Sequence, residues 1–154
     1  MAIPLRLTSD GRVEVDAHLI SAPHRARGSV AFVIDTGSQK TILGARDAET
    51  LGFPTEAFVP YAGPTMFGIG GKGKALEVGR CRIILGGGAL MTDLDLIYFR
   101  PDRETTTKTR GSGVRQTRQR LFALPSLLGT DFFSTSRCTL VVNWASRTGE
   151  IRGP

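Results

Sequence analysis

Asp35 is the residue whose placement asks for a chemical explanation. It follows Val30-Ala31-Phe32-Val33-Ile34, five apolar residues without a polar break. A carboxylate there is partly desolvated, which is costly unless it is paired or hydrogen-bonded. The next residues offer donors: a hydroxyl on Thr36, an uncrowded backbone N–H on Gly37 and a second hydroxyl on Ser38. Turning a corner does not need this set, since Asn-Gly does so at less cost. Either Asp35 is a working acid, or it begins a turn and caps its own loop.

Other chemistry-bearing residues are sparse. Cys81 and Cys138 do not make a disulfide framework or a Cys-x-x-Cys metal site, and read as small apolar residues in strands. His18 and His24 have no partners at metal-ligand spacing and are expected at the surface. Gly68, Gly70, Gly71 and Gly73 crowd one segment. Gly68-x-Gly70-x-x-Gly73 fits a dinucleotide fingerprint, with Asp93 twenty residues beyond. That fingerprint must open a helix, yet Lys74 to Leu85 carries strand-like residues and another glycine. The better reading is a hairpin whose glycines let its tip bend and approach a ligand. A hairpin whose glycines serve only the turn is the plain alternative.

Of the net charge of +6, residues 100–120 carry +5, seven basic against two acidic, so the rest of the chain is nearly neutral at +1. Within that segment Val114 is the only aliphatic residue, and it reads as a solvated, mobile insertion. It lacks the aromatic groups on which single strands stack, so nucleic acid is not the expected partner, although the basic charge leaves contact open. No apolar run approaches the roughly 20 residues of a membrane span. Met1-Ala2-Ile3-Pro4-Leu5-Arg6 is not followed by a long apolar stretch, so no secretory signal is expected. With the cysteine usage, this fits a cytoplasmic location.

The elements that must hold Asp35 are short and punctuated by turns, which favours an all-β fold with one or two short helices. The 154 residues suit one domain, 1–154, with the basic insertion at about 100–120. Ile3 to Leu7 and Val13 to Leu19 alternate around Ser9-Asp10-Gly11, as an N-terminal hairpin would. Val30 to Ile34 is apolar on both faces and reads as a central strand. Ala45 to Leu51, closed by Gly52, reads as a short helix. Lys74 to Val78, Arg80 to Leu85 and Ala89 to Phe99 are strand material. Phe132-Phe133 suits a short helix, and 138–144 with 149–152 a closing hairpin.

Phe32-Val33-Ile34-Asp35-Thr36-Gly37-Ser38, followed by Thr41-Ile42-Leu43, resembles the active-site loop of retropepsin-like aspartic proteases, the single-domain, retroviral type. Three further segments follow in that family's order. Met66 to Gly73 resembles the glycine-tipped flap, Leu124 to Asp131 the apolar-apolar-Gly support of the catalytic loop, and Cys138-Thr139-Leu140 the final strand. The match covers most of 1–99 and 121–152. It implies the closed β-barrel of the acid protease fold, one lobe per chain. Two departures stand out. Viral members usually carry Arg after the supporting glycine, where it helps tie the dimer together, and here the residue is Thr130. The basic insertion has no counterpart in the compact viral enzymes.

Aspartic proteolysis needs two carboxylates that share one proton, because like charges about 3 Å apart cannot both ionise easily. This chain has one Asp-Thr-Gly. Asp131, after Gly129-Thr130, is expected to cap the helix that begins there rather than to supply the second acid. The simplest solution is a two-fold homodimer that sets Asp35 against its copy. The resemblance then implies an aspartic endopeptidase acting on extended polypeptides. Asp35, Thr36 and Gly37 form the catalytic loop, with Ser38, Leu128 and Gly129 in support. Phe67, Gly68, Ile69, Gly70, Gly71 and Lys72 form the flap. No cofactor or metal is implied. The Ser38 hydroxyl is expected to donate to ionised Asp35, which would lower the apparent pKa values of the pair. A protease-like fold kept as a silent dimerisation or peptide-binding module is the rival.

Overall fold

The computed structural model describes residues 1–64, 75–100 and 124–154. The basic insertion therefore lies outside the described residues, apart from Arg100 at its start. Arg100 donates to the Thr55 carbonyl at 3.0 Å and stands 3.9 Å from Glu56.

Strands dominate. In chain order they are β1 (Ala2–Pro4), β2 (Arg6–Leu7), β3 (Val13–Ser21), β4 (Ala26–Ile34), β5 (Ile42–Leu43), β6 (Val59–Pro60), β7 (Ala75–Leu85), β8 (Leu90–Phe99), β9 (Leu127–Leu128), β10 (Thr139–Asn143) and β11 (Thr148–Arg152). Among the described residues the α-helices are α1 (Ala45–Thr50) and α2 (Thr130–Ser136). No helix among the described residues is long and apolar enough to cross a membrane.

Strand β3 shows why the barrel closes. Its residues alternate strictly, so Val13, Val15, Ala17, Leu19 and Ser21 point inward. It pairs with β4 from Glu14 to Ser21, and from Ala17 to Ile20 it also pairs with β7. With order β3-β4-β9-β5-β8-β7, the β3–β7 pairing closes a six-stranded barrel. Phe32, Leu19, Leu43, Ile83, Leu85, Leu128 and Phe132 fill its fully buried centre. A second sheet, β1-β11-β10, packs Ile3 and Ile151 into the same core.

Three details differ from the sequence expectation. The two runs read at 74–78 and 80–85 are one strand, β7. Inward residues fall at Leu76 and Val78, then at Cys81, Ile83 and Leu85. A bulge between Glu77 and Gly79 absorbs the extra residue, and Gly79 takes φ +90° there. The N-terminal hairpin is only partial. Arg6–Leu7 pairs with β3, but Ala2–Pro4 leaves to pair with β11, with Leu5 N–H donating to the Gly149 carbonyl. His18 is exposed as expected, but His24 is not a free surface residue. Its ring packs on Phe53 and Phe58 and donates to the Val78 carbonyl at 2.6 Å.

Candidate active site

The loop 35–41 joins β4 to β5, and β9 lies between those two strands. β9 runs parallel to β4, through Val33↔Leu127 and Ile34↔Leu128, and antiparallel to β5 through Ile42↔Leu127. Backbone bonds extend the β4–β9 ladder at both ends, from Val33 N–H to the Ser126 carbonyl and from Asp35 N–H to the Leu128 carbonyl. Asp35 is thus delivered to the end of a central strand and held there by its backbone.

The chain then turns. Ser38 N–H donates to the Asp35 carbonyl at 3.1 Å, and Gly37 N–H donates to Asp35 Oδ1 at 2.9 Å. A β-carbon on Gly37 would stand 3.1 Å from Oδ1, so glycine lets the carboxylate fold over its own turn. Asp35 is half-buried, and Thr36 and Gly37 are exposed. Among the described residues, Thr36 forms no hydrogen bond through its hydroxyl. The Ser38 hydroxyl does not donate to Asp35. It donates to the Lys40 carbonyl at 2.7 Å and so stiffens the far side of the loop. Of the donors expected around the acid, only Gly37 N–H reaches it. That bond alone would also suit a self-capping turn.

Residues 128–131 distinguish this loop from a simple turn. Leu128 is fully buried, and Gly129 presses against the loop backbone. A β-carbon on Gly129 would lie 2.5 Å from Lys40 C and O and 3.0 Å from Ser38 O. Thr130 donates to the Ser38 carbonyl through its N–H at 2.9 Å and its hydroxyl at 3.3 Å. Gly129 N–H donates to Thr41 Oγ1 at 3.1 Å. Asp131 does more than the expected cap, since its carboxylate accepts Phe132 N–H at 2.9 Å in the first turn of α2. The N-cap position of α2 is Gly129, without a side-chain bond, and the Asp131 carboxylate reaches across to Thr41. Thr41 supplies two donors to that carboxylate beside the local one from Phe132. Sequence reasoning gave Thr41, a lone hydroxyl heading the apolar pair Ile42-Leu43, no role of its own. It missed Ser126, which accepts from Gly44 N–H at 2.9 Å and donates to Asp47 at 2.5 Å.

Beside the loop, Ile42, Ile97 and Leu127 form a small apolar cluster apart from the main core, with Val33, Tyr61, Phe99 and Leu124 against it. Three of these come from β4, β5 and β9, the strands that carry the loop. The expected flap residues, Phe67 to Lys72, lie outside the described residues. Among the described residues, no group of three or more His, Cys, Asp or Glu is placed to hold a metal ion.

No protein-family model and no curated protein sequence matches the chain. Solved structures do. A retropepsin-like aspartic protease from Rickettsia conorii superimposes with a TM-score of 0.59 at 14% identity, over 99% of this chain and 91% of that one. The EIAV protease in complex with the inhibitor HBY-793 gives 0.52 at 13% identity, over 88% and 97%. The chain has the fold of these proteases.

Proposed function

We propose that the protein is an aspartic endopeptidase, active as a homodimer in which two copies of Asp35 face each other. One ionised carboxylate takes a proton from water as the water attacks the scissile carbonyl. The other, protonated, hydrogen-bonds the carbonyl oxygen and stabilises the tetrahedral intermediate. Thr36 and Gly37 shape the turn, Ser38 braces it, and Leu128 and Gly129 carry it from below. The apolar cluster around Ile42 and Leu127 favours substrates with apolar residues beside the cleaved bond.

One observation carries this reading. The only carboxylate of the 35–41 loop sits at the end of a central strand, on a turn bonded along 128–131, in a fold shared with two aspartic proteases.

The test is cleavage of an unfolded protein between pH 4 and 7 by wild type and Asp35→Asn, alongside molecular mass in solution. The wild type should cleave as a dimer and be blocked by a statine-type transition-state mimic. Asp35→Asn should keep its mass and lose at least about a hundredfold in rate. Equal cleavage by both proteins would refute the role of Asp35, and none by either would favour the silent module.

A further inference from the structure

We infer that Asp131 is a positioning residue for the Asp35 loop, acting through Thr41. This rests on the endopeptidase reading above. The carboxylate collects three donors. Thr41 N–H reaches Oδ2 at 3.1 Å, while the Thr41 hydroxyl at 2.7 Å and Phe132 N–H at 2.9 Å reach Oδ1. The Thr41 hydroxyl gives its proton to Asp131 and accepts Gly129 N–H at 3.1 Å. Asp131, Thr41 and Gly129 therefore form one polarised relay, in which each group supplies what the next lacks. Thr41 is fully buried, so water cannot take over a bond that is lost.

The relay needs an acceptor-only group. An asparagine at 131 would present its NH2 either to Thr41 N–H or to Phe132 N–H, so each flip leaves a backbone donor unpaired. The consequence runs to the acid. The loop is pinned at its start by Asp35 N–H on the Leu128 carbonyl and at its end by Thr41. If the Thr41 end slackens, the Ser38–Lys40 backbone shifts over Gly129, and the turn aiming Asp35 shifts with it. Two carboxylates that must meet across an axis are sensitive to such a displacement, since about 1 Å of misplacement costs roughly a hundredfold in rate.

The experiment compares Asp131→Asn, Thr41→Val and Thr41→Ser in peptide hydrolysis, with rates divided by the sites titrated with a statine-type inhibitor. Per titrated site, Asp131→Asn and Thr41→Val should lose about ten- to a hundredfold in kcat, with KM within about twofold. Thr41→Ser, which keeps the hydroxyl, should stay near wild type. The amides of Thr41 and Gly129 should exchange faster with solvent in Asp131→Asn. Thr41→Val carries the test by the same criteria if Asp131→Asn does not fold. A wild-type kcat per site in the variants, or fewer sites at full kcat, would overturn the inference. Asp35→Asn, run beside them, keeps the two questions apart. If it still cleaves, the endopeptidase reading fails, and if it is dead while Asp131→Asn is fully active, only the positioning role fails.

Discussion

Gly129→Ala tests the central geometric claim, that the loop carrying Asp35 rests directly on the backbone of residue 129. Gly129 has φ −85° and ψ 179°, values alanine adopts freely, so any cost is contact rather than backbone strain. The added methyl would begin 2.5 Å from Lys40 C and O, where ordinary contact starts at 3.4 Å, so loop and strand must part by about 0.9 Å. The bonds that cross this junction, Thr130 N–H to Ser38 O at 2.9 Å and Gly129 N–H to Thr41 Oγ1 at 3.1 Å, would pass the useful hydrogen-bond range of about 3.2 Å. Losing both costs about 2 kcal/mol and residual overpacking adds about 1 kcal/mol or more. A total of roughly 3 kcal/mol lowers Tm by about 6–12 °C for a chain of this length. The same displacement should lower kcat/KM for peptide cleavage by about a hundredfold. Calorimetry and a fluorogenic peptide assay read the two effects. A variant that melts within about 2 °C of wild type at full activity would refute the close approach and the positioning drawn from it.

Two further outcomes follow from other buried groups. Ser126→Ala leaves Gly44 N–H without its acceptor in a buried setting, and should lower the urea midpoint at unchanged m, a loss of about 1–3 kcal/mol; an unchanged midpoint would contradict the bridge. Burial pushes the Cys81 thiol up from 9.0 to about 11. Between those values the folded chain keeps a proton that the unfolded chain releases, so stability is intact below pH 9 and falls as pH rises toward 11 by up to about 3 kcal/mol. Urea midpoints at pH 8 and 11 should therefore diverge more for wild type than for Cys81→Ala.

Strand patterning was legible wherever one face is buried. Val13 to Leu19 alternates in sequence and in the barrel alike, because the period of a strand is local. The Asp35 loop and its Leu128-Gly129 support were legible for a related reason, since a carboxylate after an apolar strand and a glycine after two leucines are unusual demands. The errors share one cause. Asp131 and Ser38 are short polar side chains with a local partner in view, and His24 showed none at metal-ligand spacing, whereas two of their actual partners lie far along the chain. Thr41 is 90 residues from Asp131, and Val78 is 54 from His24. Ser38 gives its proton to the Lys40 carbonyl rather than to the carboxylate three residues before it in the chain. Composition and spacing rank neither kind of choice. The Gly79 bulge escaped for a similar reason, because a glycine in a strand pattern marks either a break or an inserted residue, and only the register with β8 decides.

Bonds within the chain already shape the described part of the Asp35 loop, and this bears on how two copies would form a site. Thr130, where the resemblance places an arginine that ties two chains together, gives both of its donors to the Ser38 carbonyl of its own loop. Its side chain braces the half-site instead of reaching outward. On the proposed reading, each chain then arrives with its acid already aimed, and association need not order the loop as well. Ordering side chains and loops at an interface costs about 0.5–1.5 kcal/mol for each one immobilised, so a prearranged half-site makes the same contact surface bind more tightly. The absence of arginine at 130 is therefore compatible with dimeric catalysis, provided that other surfaces supply the adhesion and the relay through Thr41 and Asp131 holds the loop before the partner arrives.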